Sequence, residues 1–454
     1  MIPDFCYSHP CLTVIAAAFL VNIPMGYIRQ GHSKFSAKWF FWIHASIPLI
    51  IYLRLSLHLT PALIPVFIFF AVLGQILGSR FRSRRMTDAE WKRLHQIPDT
   101  RRKNQPKRFL PETEVMVVLM NMGGPKSNAD VKDFLLKLFN DSLLIRFPLS
   151  ALLQPFFSWL IVTLRWKAAA ERYQLIGGGS PIFESTRNQA EALAQELRRR
   201  GREIDVIFSF NYSQPLPNET LMQVKAAGKK YLLPLSLYPH YSKATTGSNI
   251  HYLSMAARQF HPDVEFLDTP EYFLHPGYIQ AFVERIQGAL KPSELLDDFY
   301  LLFSAHGLPL YFLTEGDPYP FQVAQTAGCV LNKLGRTKEW SLSYQSAVGP
   351  LQWLKPSTEN MIHTLAKQGI KKLLVVPISF VTDHIETLCE IDIEYRKVAE
   401  DAGITDFRMS RALECHPGFI QALADSVETA LPRELSSRQE KVRPGRIDID
   451  SAKV

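Results

Sequence analysis

The sequence predicts an α/β protein made of two similar lobes, preceded by an N-terminal transmembrane helical segment. Three observations predict it. From Glu114 onward, short β-rich runs alternate with helical ones, the pattern of parallel α/β units. Two strand regions read as copies: "GKKYLLPLSLYPHYS" (228–242) and "IKKLLVVPISFVTDHIE" (370–386) share Lys-Lys, an aliphatic run and Pro-aliphatic-Ser. Repetition at that distance points to two lobes instead of one large sheet. Before residue 80 the chain carries three apolar stretches, Leu12 to Ile28, Trp39 to Leu53 and Leu59 to Gly78.

The third stretch is long enough for a hydrocarbon layer of about 30 Å, and the first two need tilt or local thinning. No Lys or Arg precedes Arg29, so the charged start of a cleavable signal peptide is missing. Arg29, Lys34 and Lys38 lie between the first two stretches, and Arg80, Arg82, Arg84 and Arg85 follow the third. With three spans these cations fall on one side, which puts the N-terminus outside and everything after Ser79 in the cytoplasm, as a multi-pass inner-membrane protein. A two-span hairpin with an interfacial helix is the alternative.

The net charge of +8 and pI near 9.1 arise in one place. Between Ser79 and Arg108, eleven Lys or Arg stand against three acids, which accounts for the whole excess. Phe81 and Trp91 are the aromatics there, too few to interleave with the cations, and the segment leaves an apolar span, so anionic lipid headgroups fit better than nucleic acid. Five scattered cysteines without a CxxC argue against a disulfide framework or a structural metal site.

In the soluble part, "EVMVVLMNMGGP" is a strand ending in glycines. "NADVKDFLLKLF" follows as a helix, with Asn128 as N-cap and Val131, Phe134, Leu135 and Leu138 on one face. Later strands are "IDVIFSFN", "KKYLLPLSL", "DVEFLD", "FYLLFSAH", "WSLSYQS" and "KKLLVVPISF", with helices around Glu219, His251, Ile279, Gln325 and Thr358. The division expected is 1–79 transmembrane, 80–112 basic linker, 113–290 and 291–413 the two lobes, 414–432 a helix returning to the first lobe, and 433–454 a polar tail.

Ligands in such folds sit beyond the carboxyl ends of strands. His306 closes the strand at 299–306, and its neighbours Ser304, Ala305 and Gly307 leave room for a flat ligand; a core histidine is the plain alternative. In "TDHIETLCEIDIEYRKV", Asp383, Glu386, Glu390 and Glu394 fall within about 80° on an α-helix. Four carboxylates on one face repel unless a cation visits, and His384 beside them adds a nitrogen suited to a divalent transition metal. A solvated acidic face is the alternative. Gly177, Gly178 and Gly179, followed by Ser180, form a loop whose backbone can approach a ligand. It is not a nucleotide motif.

The motifs "NMGGP", "RYQLIGGGSPI", "LYPHYSKATTGS", "LFSAHGLP", "GDPYP", "YQSAVGPLQWLKP" and "DHIETLCEIDIEY" resemble those of ferrochelatases, in order, from about Glu114 to Leu431. The resemblance implies the chelatase fold of two Rossmann-like lobes, with porphyrin in the cleft and ferrous iron inserted to make heme. It implies His306 and Glu386 as the catalytic and metal-site pair. Asp383, His384, Glu390 and Glu394 become a proton or metal relay. Asn121, Met122, Gly177, Gly178, Gly179, Ser180, Tyr241 and Ser242 become substrate contacts. His240 stands where a glutamine is common, and Ala347 where a basic residue is common. Ferrous iron is substrate, and no iron-sulfur cluster is expected, since Cys389 and Cys415 stand alone and no cysteine follows Leu431.

Protoporphyrin IX is the expected substrate. A coproporphyrin ferrochelatase or related tetrapyrrole chelatase is the near rival, and a membrane-tethered porphyrin or heme carrier the rival of another class. A carrier needs no base facing the metal, so His306 with Glu386 speaks for turnover.

Overall fold

Among the described residues, eight strands form two separate four-stranded sheets, every pairing parallel. The first holds β1 (Val115–Asn121), β2 (Asp205–Phe210), β3 (Tyr231–Ser236) and β4 (Glu265–Phe266), ordered β2-β1-β3-β4. The second holds β5 (Tyr300–His306), β6 (Trp340–Gln345), β7 (Lys372–Pro377) and β8 (Asp406–Met409), ordered β6-β5-β7-β8. The two orders are the same, so the similarity between β3 and β7 in sequence is a similarity of position. The computed structural model describes residues 9–30, 37–85, 110–145, 150–268, 271–336, 339–349 and 351–431. The linker at 86–109 and the tail from 432, with the expectations placed on them, lie outside the described residues.

The central strands are buried on both faces, as parallel sheets covered by helices require. Alternation divides β1: Val115, Val117 and Leu119 join a core shared by both lobes, while Met116, Val118 and Met120 face a smaller cluster with Leu221, Leu232 and Leu253. The second lobe repeats this, with Leu301 and Phe303 in the shared core and Leu302 against Ile362 and Leu373. Strand β8 went unforeseen because "DFRM" is too short and polar to carry an alternation.

Two helices join the lobes, Pro276–Gln287 and Pro417–Ala430. They begin "HPGYIQAF" and "HPGFIQAL", a second internal repeat. His275 and His416 each cap their helix by accepting from Gly277 N–H and Gly418 N–H, at 3.1 and 3.2 Å. Each then reaches an acid on the other helix: His275 Nε2 lies 2.8 Å from Asp425, and His416 Nε2 lies 3.0 Å from Glu284. The glycines are needed where the helices meet, because a Cβ on Gly277 would lie 2.6 Å from Gly418 O. The Pro417–Ala430 helix also packs on Ile182–Arg199 of the first lobe.

The N-terminal unit holds α1 (His9–Gln30), α2 (Ala37–His44), α3 (Ile47–Ser56) and α4 (Ile64–Arg85). Two stretches, Pro10–Arg29 and Pro61–Ser79, are long and apolar enough to cross a membrane. The middle stretch is corrected: it is not one helix but two, broken before Pro48, whose ring nitrogen cannot donate to the turn behind it. Helices α1 and α4 run parallel and close. A Cβ on Gly74 would lie 2.2 Å from Phe19 O, and one on Gly78 would lie 1.8 Å from Ile23 O. Asn22, Ser46 and Gln75 are buried together there, Asn22 Oδ1 accepting from both at 2.9 Å.

Candidate active site

His306 ends β5, and its backbone is held at both ends. Its N–H donates to Ser379 Oγ at 2.9 Å, and its carbonyl accepts from Tyr319 OH at 2.9 Å. Ser379 belongs to the Pro-aliphatic-Ser element of the repeat, so the copied motif has a task in this lobe. Gly307 follows because the chain presses on β6, where a Cβ would meet Gln345 O at 2.7 Å. The space expected for a ligand at that glycine is therefore taken by backbone.

The ring of His306 meets Glu386 of the same lobe, Nδ1 to Oε2 at 2.9 Å. A carboxylate only accepts, so this contact puts a proton on Nδ1 and leaves Nε2 as the other nitrogen of the neutral ring. Burial opposes charge on His306, yet the carboxylates of Glu386 and Glu390 outweigh it and raise its pKa above 6.5. For Glu386, burial pulls upward, and His306, His384 and Arg172 together pull it down to about 2. Glu386 is thus a lasting anion. His384 Nε2 stands 3.8 Å from the same oxygen, and burial holds its pKa below 6.5. Phe380 meets both rings, edge-on to His306 at 6.3 Å and tilted to His384 at 4.8 Å.

Glu386 projects from a π-helix, Ile385–Tyr395, and the expectation of an ordinary α-helix carrying four repelling carboxylates is corrected on two counts. Bonds that skip five residues widen the turn, a form found mostly at functional sites. Asp383 also lies before the helix begins, and its N–H donates to Glu414 Oε1 at 2.7 Å. The other two acids have partners of their own. Glu390 accepts from Ser346 N–H at 2.8 Å, Ser346 Oγ at 2.6 Å and Tyr395 OH at 2.8 Å. Glu394 pairs with Arg172 Nη2 at 2.7 Å. Local pairing relieves their repulsion.

Several of these partners were not singled out in the sequence. Arg172 sits inside "RYQLIGGG" and comes from the long Ser150–Leu175 helix, whose reach to the second lobe no local pattern announces. Ser346 holds a left-handed backbone, φ 64°, which aims both of its donors at Glu390. Gln345 donates to Glu386 O at 2.9 Å and accepts from Ser304 Oγ at 2.7 Å, tying the π-helix to β5. Tyr173, Tyr238 and Tyr319 all feel the Glu386 charge on top of burial, and their phenols stay protonated.

The expected substrate contacts divide. Met122 is half-buried at the end of β1. Asn121 is buried and uses its amide inside the lobe, accepting from Met122 N–H at 2.8 Å and donating to Thr186 at 3.3 Å. Gly177 and Gly178 take positive φ, Gly177 with open space about it and Gly178 with Gln174 Oε1 at 3.6 Å from a would-be Cβ, whereas Gly179 is needed because a Cβ would meet Lys126 O at 2.3 Å. Ser180 N–H donates to Pro125 O at 2.8 Å, so the triple-glycine loop packs on the "NMGGP" loop. Tyr241 lines a cavity with Ser236, Tyr238, Thr246 and Glu271. Ser242 is fully buried and donates to Asp317 at 2.9 Å, joining the lobes. His240 is also buried, its Nε2 2.9 Å from Thr326 and its pKa pushed down to about 3 by burial.

Comparison with known proteins gives one family. The model described as Ferrochelatase matches residues 114–431. A ferrochelatase of Gloeobacter violaceus is 44% identical over 317 residues, covering 69% of this chain and 97% of its own. One of Synechocystis sp. is 43% identical over 323 residues, covering 70% of this chain and 82% of its own. Among solved structures, SirB from Bacillus subtilis with Fe3+ aligns over 56% of this chain and 92% of its own, with TM-score 0.41 and 16% identity.

Proposed function

The chain belongs to the ferrochelatase family, and from that premise we propose how its residues divide the work of inserting ferrous iron into protoporphyrin IX. The activity itself is that of a metal chelatase, a lyase of heme biosynthesis. Two pyrrole N–H protons leave as one ferrous ion enters, with no change of oxidation state. A base is therefore needed on one face of the ring, together with a route by which protons leave.

His306 is that base, acting through Nε2, and Glu386 orients the imidazole and steadies the imidazolium that forms. The observation that carries this is the 2.9 Å contact at the carboxyl end of β5. One nitrogen cannot hold a proton and a metal at once. His306 and Glu386 therefore meet iron before the proton arrives, and hold the proton once iron has gone to the porphyrin. His384 and Asp383 carry protons away, and Glu390 and Glu394 line the metal approach. Met122, Gly177, Gly178 and Tyr241 offer the substrate wall. Replacing Glu386 by Gln should lower kcat by about 10²- to 10⁴-fold with the porphyrin KM within about twofold; an unchanged kcat would remove Glu386 from the chemistry.

The N-terminal unit anchors the enzyme in the inner membrane with its catalytic part in the cytoplasm. Supporting three passes is the parallel course of α1 and α4, because a chain that crosses twice in one direction must return between them. The α2–α3 pair is the returning segment. Anionic headgroups meet the basic residues after Ser79, porphyrin and iron are the partners in the cleft, and no iron-sulfur cluster takes part. Nothing here favours a carrier without turnover.

A further inference from the structure

Arg172 stands among the acids of the π-helix, and none of the steps above uses it. It lies in the last turn of the first-lobe helix Ser150–Leu175 and reaches the second lobe, its Nη2 2.7 Å from Glu394 Oε2. The other oxygen of Glu394 lies 3.6 Å from the Cys389 thiol. The Arg172 charge is felt by Glu386 and Glu390 as well, so one guanidinium serves all three carboxylates of the helix. Arg396, the residue after the helix, does not share this task, because Asp392 and the carbonyl of Phe407 occupy it.

The hold is a loose one. The two side chains are 41% and 43% exposed, and exposed ion pairs contribute little. The guanidinium does not close the two-pronged fork on Glu394, since its Nε is buried without a hydrogen-bond partner among the described residues. Once displaced it has a favourable place to go, because the C-terminal end of its own helix attracts a cation. Gly177 and Gly178 follow that end at positive φ. A ferrous ion carries two charges where Arg172 carries one. At equal distance it is drawn to the same carboxylates about twice as strongly.

We propose that Arg172 is the resident counter-cation of the metal approach, displaced from Glu394 by entering ferrous iron, and that it thereby sets the metal concentration at which the site fills. This rests on the reading of Glu394 as part of the metal approach. Before iron enters, Arg172 relieves the repulsion along the acidic face and ties one lobe to the other. As iron enters, the ion pair opens and Glu394 turns to the metal. No covalent bond breaks and no electron changes hands.

The test uses the full chain in detergent, comparing Arg172→Gln, Arg172→Lys and Glu394→Gln with wild type. Two quantities are read: the KM for ferrous iron, separately from that for protoporphyrin, and the Kd for cobalt(II) alone by titration calorimetry. Expected for Arg172→Gln are a ferrous KM and a cobalt Kd each lower by about fivefold, with the porphyrin KM unchanged. Arg172→Lys, which keeps the charge, should restore both toward wild type, and Glu394→Gln should raise both. Unchanged metal values in Arg172→Gln overturn the proposal. Raised values overturn it too, because Arg172 would then support the metal site instead of competing for it, as does Arg172→Lys behaving like Arg172→Gln. If Glu394→Gln raises the metal values while Arg172→Gln leaves them alone, only this extension fails. If Glu394→Gln also leaves them alone, the reading of the metal approach fails with it.

Discussion

His306 owes its properties chiefly to Glu386, with Glu390 acting in the same direction, and that makes its behaviour with pH predictable. As a base it must be neutral, and Glu386 raises its pKa above 6.5, so the acid limb of kcat/KM should lie above that value. Removing the counter-charge in Glu386→Gln should move the limb to lower pH; a limb that stays put would mean another group sets it. Stability runs by the same linkage. Glu386, depressed from 4.5 to about 2, contributes stability that is present above pH 4.5 and lost as pH falls toward 2. His306, raised, contributes stability that is present below pH 6.5 and lost as pH climbs through its folded value. The pair should therefore help most between about 4.5 and 6.5, read as the difference in Tm between wild type and Glu386→Gln across pH. The sequence made His306 and Glu386 legible because their motifs are short and local. Gln345, Ser346 and Glu414 were not legible, because each acts through a backbone direction or a partner far along the chain.

At the scale of elements, the π-helix depends on the turn after β6. Ser346 clamps Glu390 from a left-handed position. Ser346→Ala and Ser346→Gly both lose the hydroxyl, but only Gly relaxes the backbone, so Gly should be the more stable by about 1 kcal/mol in urea unfolding. Equal stabilities would show that φ carries no strain there. The acidic residues of this helix were visible in sequence, but its period was not, since 3.6 residues per turn was the natural assumption and only the fold selects the wider form. The same limit explains the middle apolar stretch: hydropathy sees a continuous run, while Pro48 divides it. In the N-terminal helical unit, Gly74 and Gly78 form the close seam seen when small residues recur every four positions. Gly78→Leu should separate α1 from α4 and lower the temperature at which the detergent-solubilised protein aggregates, with the catalytic part unchanged.

Taken whole, the molecule is two copies of one α/β plan, closed by the paired His-Pro-Gly helices and preceded by an apolar helical unit. The copied strands made the two lobes legible. The crossing of the last helix onto the first lobe depends on Gly277 meeting Gly418, which no single segment reveals. Deleting residues 1–85 should move the protein to the soluble fraction while turnover of detergent-dispersed porphyrin stays within about twofold, since the catalytic groups all lie beyond Leu110. Loss of turnover in a folded truncate would give the anchor a part in the chemistry.

The most direct measurement is anaerobic single-turnover absorbance of protoporphyrin IX with ferrous iron, on wild type and His306→Ala. The account predicts conversion of the free-base spectrum to that of the iron chelate by wild type, and bound but unconverted porphyrin in His306→Ala. Conversion at the wild-type rate by His306→Ala would contradict it.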